Sequence, residues 1–140
     1  MLNASAMACN SVVNDFGPSP VHNFAHAFGA VCHIHHGEAN GVLLPIVMEE
    51  FADFYVPVAD RLKGVFGVEG EGRAAVLACA ARISALLEEM GHPRDFTRHD
   101  IPLSKMPDIV LAIAHDPIAA FLPLPMDLIE TVCSRVCNWS

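Results

Sequence analysis

Basic residues are scarce in this chain. Eight Lys and Arg stand against sixteen Asp and Glu, giving a formal charge of −8 over 140 residues. The few cations are scattered, so no basic stripe is available to neutralise phosphates, and nucleic acid is excluded as a partner. Long apolar runs are missing too. Although 53% of the residues are hydrophobic and mean hydropathy is +0.39, no stretch approaches the roughly eighteen uninterrupted apolar residues of a membrane span. The N-terminus lacks a basic segment followed by a cleavable apolar core, so no signal peptide is indicated. Cys9, Cys32, Cys79, Cys133 and Cys137 are odd in number and lack the dense spacing of a secreted disulfide scaffold. Reduced thiols and a cytoplasmic location are expected. No alternating β pattern of useful length and no repeat stands out. Gly64, Gly67, Gly70 and Gly72 follow no predicted strand and fit no G-x-G-x-x-G dinucleotide loop.

What is present is helical periodicity. Apolar residues with few breakers suggest a helix over residues 2–15, which Gly17-Pro18-Ser19-Pro20 ends. Ser19 is placed to cap a second helix with Pro20 in its first turn. Over residues 39–55, Val42, Leu43, Ile46, Val47, Phe51 and Phe54 recur at helical spacing opposite Glu49, Glu50 and Asp53, with Pro45 expected to kink the pattern. A shorter helix follows over 56–68, and an Ala- and Leu-rich one over 73–90 is closed by Gly91 and Pro93. Residues 94–101 read as a polar loop. Ser104 is expected to cap a helix over 105–115, three prolines make 116–125 irregular, and a last amphipathic helix covers 126–137. Cys133 and Cys137, four apart on it, read better as small residues on a buried face than as a metal or redox pair. The expected fold is therefore all-α, a bundle of about six to seven helices in a single domain over 1–140.

The densest chemistry lies in Val21-His22-Asn23-Phe24-Ala25-His26-Ala27-Phe28-Gly29-Ala30 and His35-His36-Gly37-Glu38-Ala39-Asn40-Gly41. On a helix, His22 and His26 share one face with Cβ atoms about 6 Å apart, close enough to converge on one ion. His36 follows Gly29, which can end that helix and let the chain turn back with a third nitrogen. Isolated histidines are usually satisfied within a bundle; three in this pattern read as part of a metal site. His33 and His35, alternating around Ile34, read as solvated loop residues, although they and His26 are where a further donor to such a site would come from. Asn40 can orient the His36 ring or, more simply, cap the next helix.

The run Val21-His22, His26, Gly29-Ala30, His36-Gly37, Ala39-Asn40-Gly41-Val42-Leu43-Leu44-Pro45 resembles the signature of the iron-containing (group III) alcohol dehydrogenases, where H-x-x-x-H and G-A are followed by H-G-x-A-N-A and L-L-P. Met1-Leu2-Asn3-Ala4-Ser5-Ala6-Met7-Ala8 upstream, and Gly91-His92-Pro93, Ile101-Pro102 and Ala114-His115-Asp116-Pro117 downstream, resemble neighbouring helices of that family. Leu122-Pro123-Leu124 departs from the family's N-P-R. The resemblance implies that His22 and His36 are metal ligands, for iron (Fe2+) or zinc, and that His26 lines the substrate and nicotinamide pocket and assists proton transfer.

It further implies that the remaining ligands, an Asp and a His in a D-x-x-x-H element, and the domain that binds NAD(P) lie upstream of Met1. The chain then reads as the C-terminal helical portion of an NAD(P)-linked oxidoreductase acting on a small-molecule alcohol or aldehyde, incomplete as a catalyst by itself. Its excess apolar surface suits association with a missing N-terminal domain or a homo-oligomer. The rival expectation is a helical binding or assembly module without catalysis.

Overall fold

The computed structural model describes residues 20–120 and 123–139. The helix expected over 2–15, the Ser19 cap, Cys9 and Leu122 lie outside them. Among the described residues there are seven α-helical segments, four short 3-10 turns and no strand, so the fold is all-α as the periodicity requires.

Helix α1, Pro20–Cys32, begins with proline at its first position, where the missing N–H costs nothing. Val21, Phe24, Ala25 and Phe28 follow at helical spacing and are all buried. Gly29 does not end it. The helix runs one turn further, and His33 takes the left-handed conformation (φ 58°) instead, its N–H donating to the Gly29 carbonyl at 3.2 Å. Ile34 then drops into the core, 3% exposed.

Helix α2, His36–Glu50, starts three residues before the expected point. His35 is its N-cap, with Nδ1 accepting from the Gly37 N–H at 3.2 Å. Asn40 neither caps nor touches the His36 ring; its amide donates to the His36 backbone carbonyl at 2.9 Å. The helix runs through Pro45 and stops at Phe51, after which Ala52–Tyr55 forms a single further turn, α3. A 3-10 turn leads into α4, Ala59–Phe66, and Gly67 (φ 63°) closes it. Helix α5, Gly72–Glu89, ends at Gly91 (φ 70°), with the His92 N–H reaching back to the Leu87 carbonyl at 2.9 Å and that of Gly91 to Glu88. This is the glycine-terminated geometry the sequence implies.

The polar loop after α5 carries a buried anchor. Phe96 is fully buried, stacks on Phe28 with ring centroids 4.8 Å apart, and its N–H meets the Val136 carbonyl. Ser104 does not cap the next helix: α6, Met106–His115, follows a 3-10 turn with Lys105 at its N-cap position and no side-chain cap bond. Helix α7, Met126–Cys137, matches its expected bounds. No described helix is long and apolar enough to cross a membrane.

Helix α2 is central, packing on α1, α5 and α7, while α6 lies on α1. One buried cluster joins Phe24, Phe28, Leu43, Phe96, Ile109 and Val132. A second, smaller one gathers Met48, Ala52, Val76, Cys79 and Ile83. Each large side chain fully buried in this way contributes about 1.5–3 kcal/mol of transfer free energy. The outcome is a rigid frame that sets one face of α1 against the start of α2.

Candidate metal centre

The core-facing stripe of α1 fixes the direction of its histidines. With Val21, Phe24, Ala25 and Phe28 turned inward, His22 and His26 emerge together beside that stripe, and the left-handed turn at His33 brings the chain back so that His36, the first residue of α2, rises against them. His22 and His36 are 5.4 Å apart by ring centroid and near parallel, His26 and His36 are 5.4 Å apart, and His22 and His26 are 5.9 Å apart. One nitrogen from each ring lies within 4.8 Å of the others. The three residues singled out by spacing thus converge.

His33 and His35 do not join them: one is an exposed turn residue, the other caps α2. His92, His99 and His115 lie elsewhere. The His92 ring sits over Gly41, where a Cβ would overlap it, and donates from Nδ1 to the Pro93 carbonyl at 2.8 Å. His99 contacts Glu38 at 2.7 Å, and His115 donates to the Leu111 carbonyl.

Sequence reasoning missed Asp116. This residue ends α6, and its Oδ2 lies 2.8 Å from Nδ1 of His26; its side chain is 8% exposed against 48% for the imidazole. An ionised carboxylate only accepts, so Nδ1–H of His26 is the donor and the lone pair sits on Nε2. The signal available was an aspartate followed by proline at a helix end, which fixes a stop and says nothing of what the carboxylate meets. Glu38 was also passed over. Burial pushes its carboxyl up, but hydrogen bonds from His99 and Arg98, with their charges, outweigh that and hold it below the usual range. It ties the first turn of α2 to the 97–99 turn.

The electrostatics suit a cation. Burial lowers the pKa of His22, the neighbouring His36 and His26 lower it further, and Asp116 opposes them. A neutral imidazole is the form that binds metal. Three nitrogens bound at 2.0–2.1 Å to a tetrahedral ion lie about 3.4 Å apart, so the donors, now within 4.8 Å, need a modest closure that rotation of partly exposed rings supplies. The donor set therefore fits a first-row divalent ion of the zinc or iron kind. Beside it, Asn23 is fully buried on α1 with neither amide atom hydrogen-bonded among the described residues.

Comparison with known proteins points the same way. Residues 1–130 match the family described as Fe-containing alcohol dehydrogenase family, C-terminal. The chain is 36% identical over 97 residues to a lactaldehyde reductase of Escherichia coli (strain K12), covering 64% of this chain and 25% of that protein. It is 28% identical over 135 residues to long-chain-alcohol dehydrogenase 1 of Geobacillus thermodenitrificans (strain NG80-2), covering 90% of this chain and 33% of that one. No solved structure matches. The chain spans about a quarter to a third of the length of the curated relatives it matches.

Proposed function

Since the chain belongs to the Fe-containing alcohol dehydrogenase family, as its C-terminal part, we propose that it supplies the histidine half of a metal-dependent alcohol or aldehyde oxidoreductase site. The observation that carries this reading is the meeting of His22, His26 and His36 at one point, in a chain whose relatives are named for lactaldehyde and for long-chain alcohols. His22 and His36 hold the ion, iron or zinc. Bound there, such an ion supplies Lewis acidity toward the oxygen of the alcohol or aldehyde.

His26 handles the proton. Its Nδ1–H is pinned to Asp116, so Nε2 takes a proton from the substrate side, and the carboxylate stabilises the imidazolium that results. On this reading NAD(P) is held by a nucleotide-binding domain outside this sequence, in keeping with a chain that spans about a quarter to a third of its relatives' length. Exposed Val65 and Met90, 79% and 72% accessible, suit contact with that domain or with a second copy. The free thiols of Cys32, Cys79, Cys133 and Cys137 suit a cytoplasmic setting.

The test is metal retention. The chain equilibrated with Zn2+, or with Fe2+ under anaerobic conditions, should lose its bound ion when His22→Ala or His36→Ala is introduced. Metal content unchanged by either substitution would refute the assignment.

A further inference from the structure

Two imidazoles are too few for a tight site, since transition-metal centres with an open position use three protein donors. The described residues contain a third nitrogen in reach. His26 lies as close to His36 as His22 does, 5.4 Å between ring centroids in both cases, and all three donors fall within 4.8 Å. What distinguishes His26 is its backing. Asp116 approaches from the end of α6, is largely covered, and holds Nδ1 at 2.8 Å. A carboxylate behind one imidazole nitrogen fixes the tautomer, orients the ring and makes the other nitrogen a better donor, the arrangement found behind metal-ligating histidines generally.

The geometry points to a complete three-nitrogen site for a divalent first-row cation within this chain, with His26 as third donor through Nε2 and Asp116 as the residue that positions it. This rests on the reading of His22 and His36 as donors and adds to it. Where donors from the remainder of an enzyme fill the coordination shell, His26 is released to its proton-handling place; in this chain alone it closes the site. Asp116 is a positioning residue: it touches the ring, not the ion.

Cobalt(II) is the probe, because its visible absorption reports the number and geometry of nitrogen donors. The tag-free chain should take up one Co2+ with a tetrahedral-type spectrum. His26→Gln should weaken binding at least tenfold and change the spectrum. Asp116→Asn, which keeps the side-chain shape, should weaken it about 10–100-fold and shift the His26 ring from a single Nδ1-protonated tautomer to a mixture, read by nitrogen NMR. A merely structural role for Asp116 leaves that tautomer unmoved. Because His26 is half exposed, the His26→Gln chain should keep its far-UV circular dichroism. Cobalt affinity and spectrum within twofold of wild type in His26→Gln, an unchanged His26 tautomer in Asp116→Asn, or no Co2+ uptake by the wild-type chain at millimolar concentration each overturns the inference. The first two outcomes leave the assignment of His22 and His36 standing; that assignment fails if His22→Ala or His36→Ala leaves metal retention unchanged.

Discussion

Cys133 and Cys137 show how burial decides the chemistry of a residue. Both lie on the inner face of α7, 0% and 8% exposed. Burial pushes the Cys137 thiol up to about 12, with Cys32 and Asp95 adding to the effect. Burial also raises Cys133, helped by the neighbouring thiols. The spacing of four, compatible with a metal or redox pair, is here that of small residues on a core-facing helix. A thiol whose folded pKa exceeds its unfolded value of about 8.5 stays protonated in the fold while the unfolded chain ionises. Its stabilising share is full below pH 8.5 and is lost as pH rises toward 12. Tyr55, pushed up to about 12 by burial, acts in the same direction from about 10 upward. Denaturant unfolding should therefore show stability falling above pH 8.5 by about 1 kcal/mol per thiol per pH unit, and Cys137→Ala should make the slope shallower by about one thiol's share. A flat profile between pH 7 and 10 would contradict the assigned burial. At the same scale, the convergence of His22, His26 and His36 was legible because helix period and one turn suffice to place them. Asp116 was not legible, since nothing local to it encodes a partner 90 positions away in the chain.

At the level of elements, the end of α1 is the instructive case. Glycine at position 29 is the residue a reader expects to stop a helix, yet the left-handed cap falls on His33, four residues later. Propensity ranks Gly29 as the cheaper breaker, but burying Ile34 at 3% exposure and bringing His36 beside His22 requires the extra turn, and tertiary packing prevails. The non-glycine residue pays a conformational cost there. His33→Gly should thus raise stability by about 0.5–1 kcal/mol, read as a higher unfolding midpoint, while leaving metal uptake unchanged because His33 stands outside the cluster. A loss of stability, or of metal, would show that His33 does more than turn the chain. Elements with strong local punctuation were read correctly: α5 with Gly91, α7 with its amphipathic face. Details without it were not: the N-cap position of α6 falls on Lys105, not Ser104, and the loop after α5 carries Phe96, whose burial depends on meeting Phe28 and Val136, contacts that its own polar neighbours do not announce.

Over the whole molecule, the site depends on α2, which carries His36 at one end and touches both buried clusters. Val42, Leu43 and Val47 face the larger cluster and Met48 the smaller, while Leu44 and Tyr55 pack against both. An apolar helix wedged between two clusters couples them: neither can loosen without exposing part of α2 to water. Unfolding should therefore be a single transition, and Trp139, which packs on the larger cluster and donates from Nε1 to the Ile101 carbonyl at 2.8 Å, should report it. Val76 lies on α5 in the other cluster. Val76→Ala removes two buried carbons, about 1.6 kcal/mol at 0.8 per group, with any cavity term adding to that. The Trp139 fluorescence midpoint should shift downward together with the far-UV circular dichroism midpoint, by the same free energy. If circular dichroism shifts while Trp139 does not, the two clusters are separate folding units, and the histidine site rests on the larger one alone.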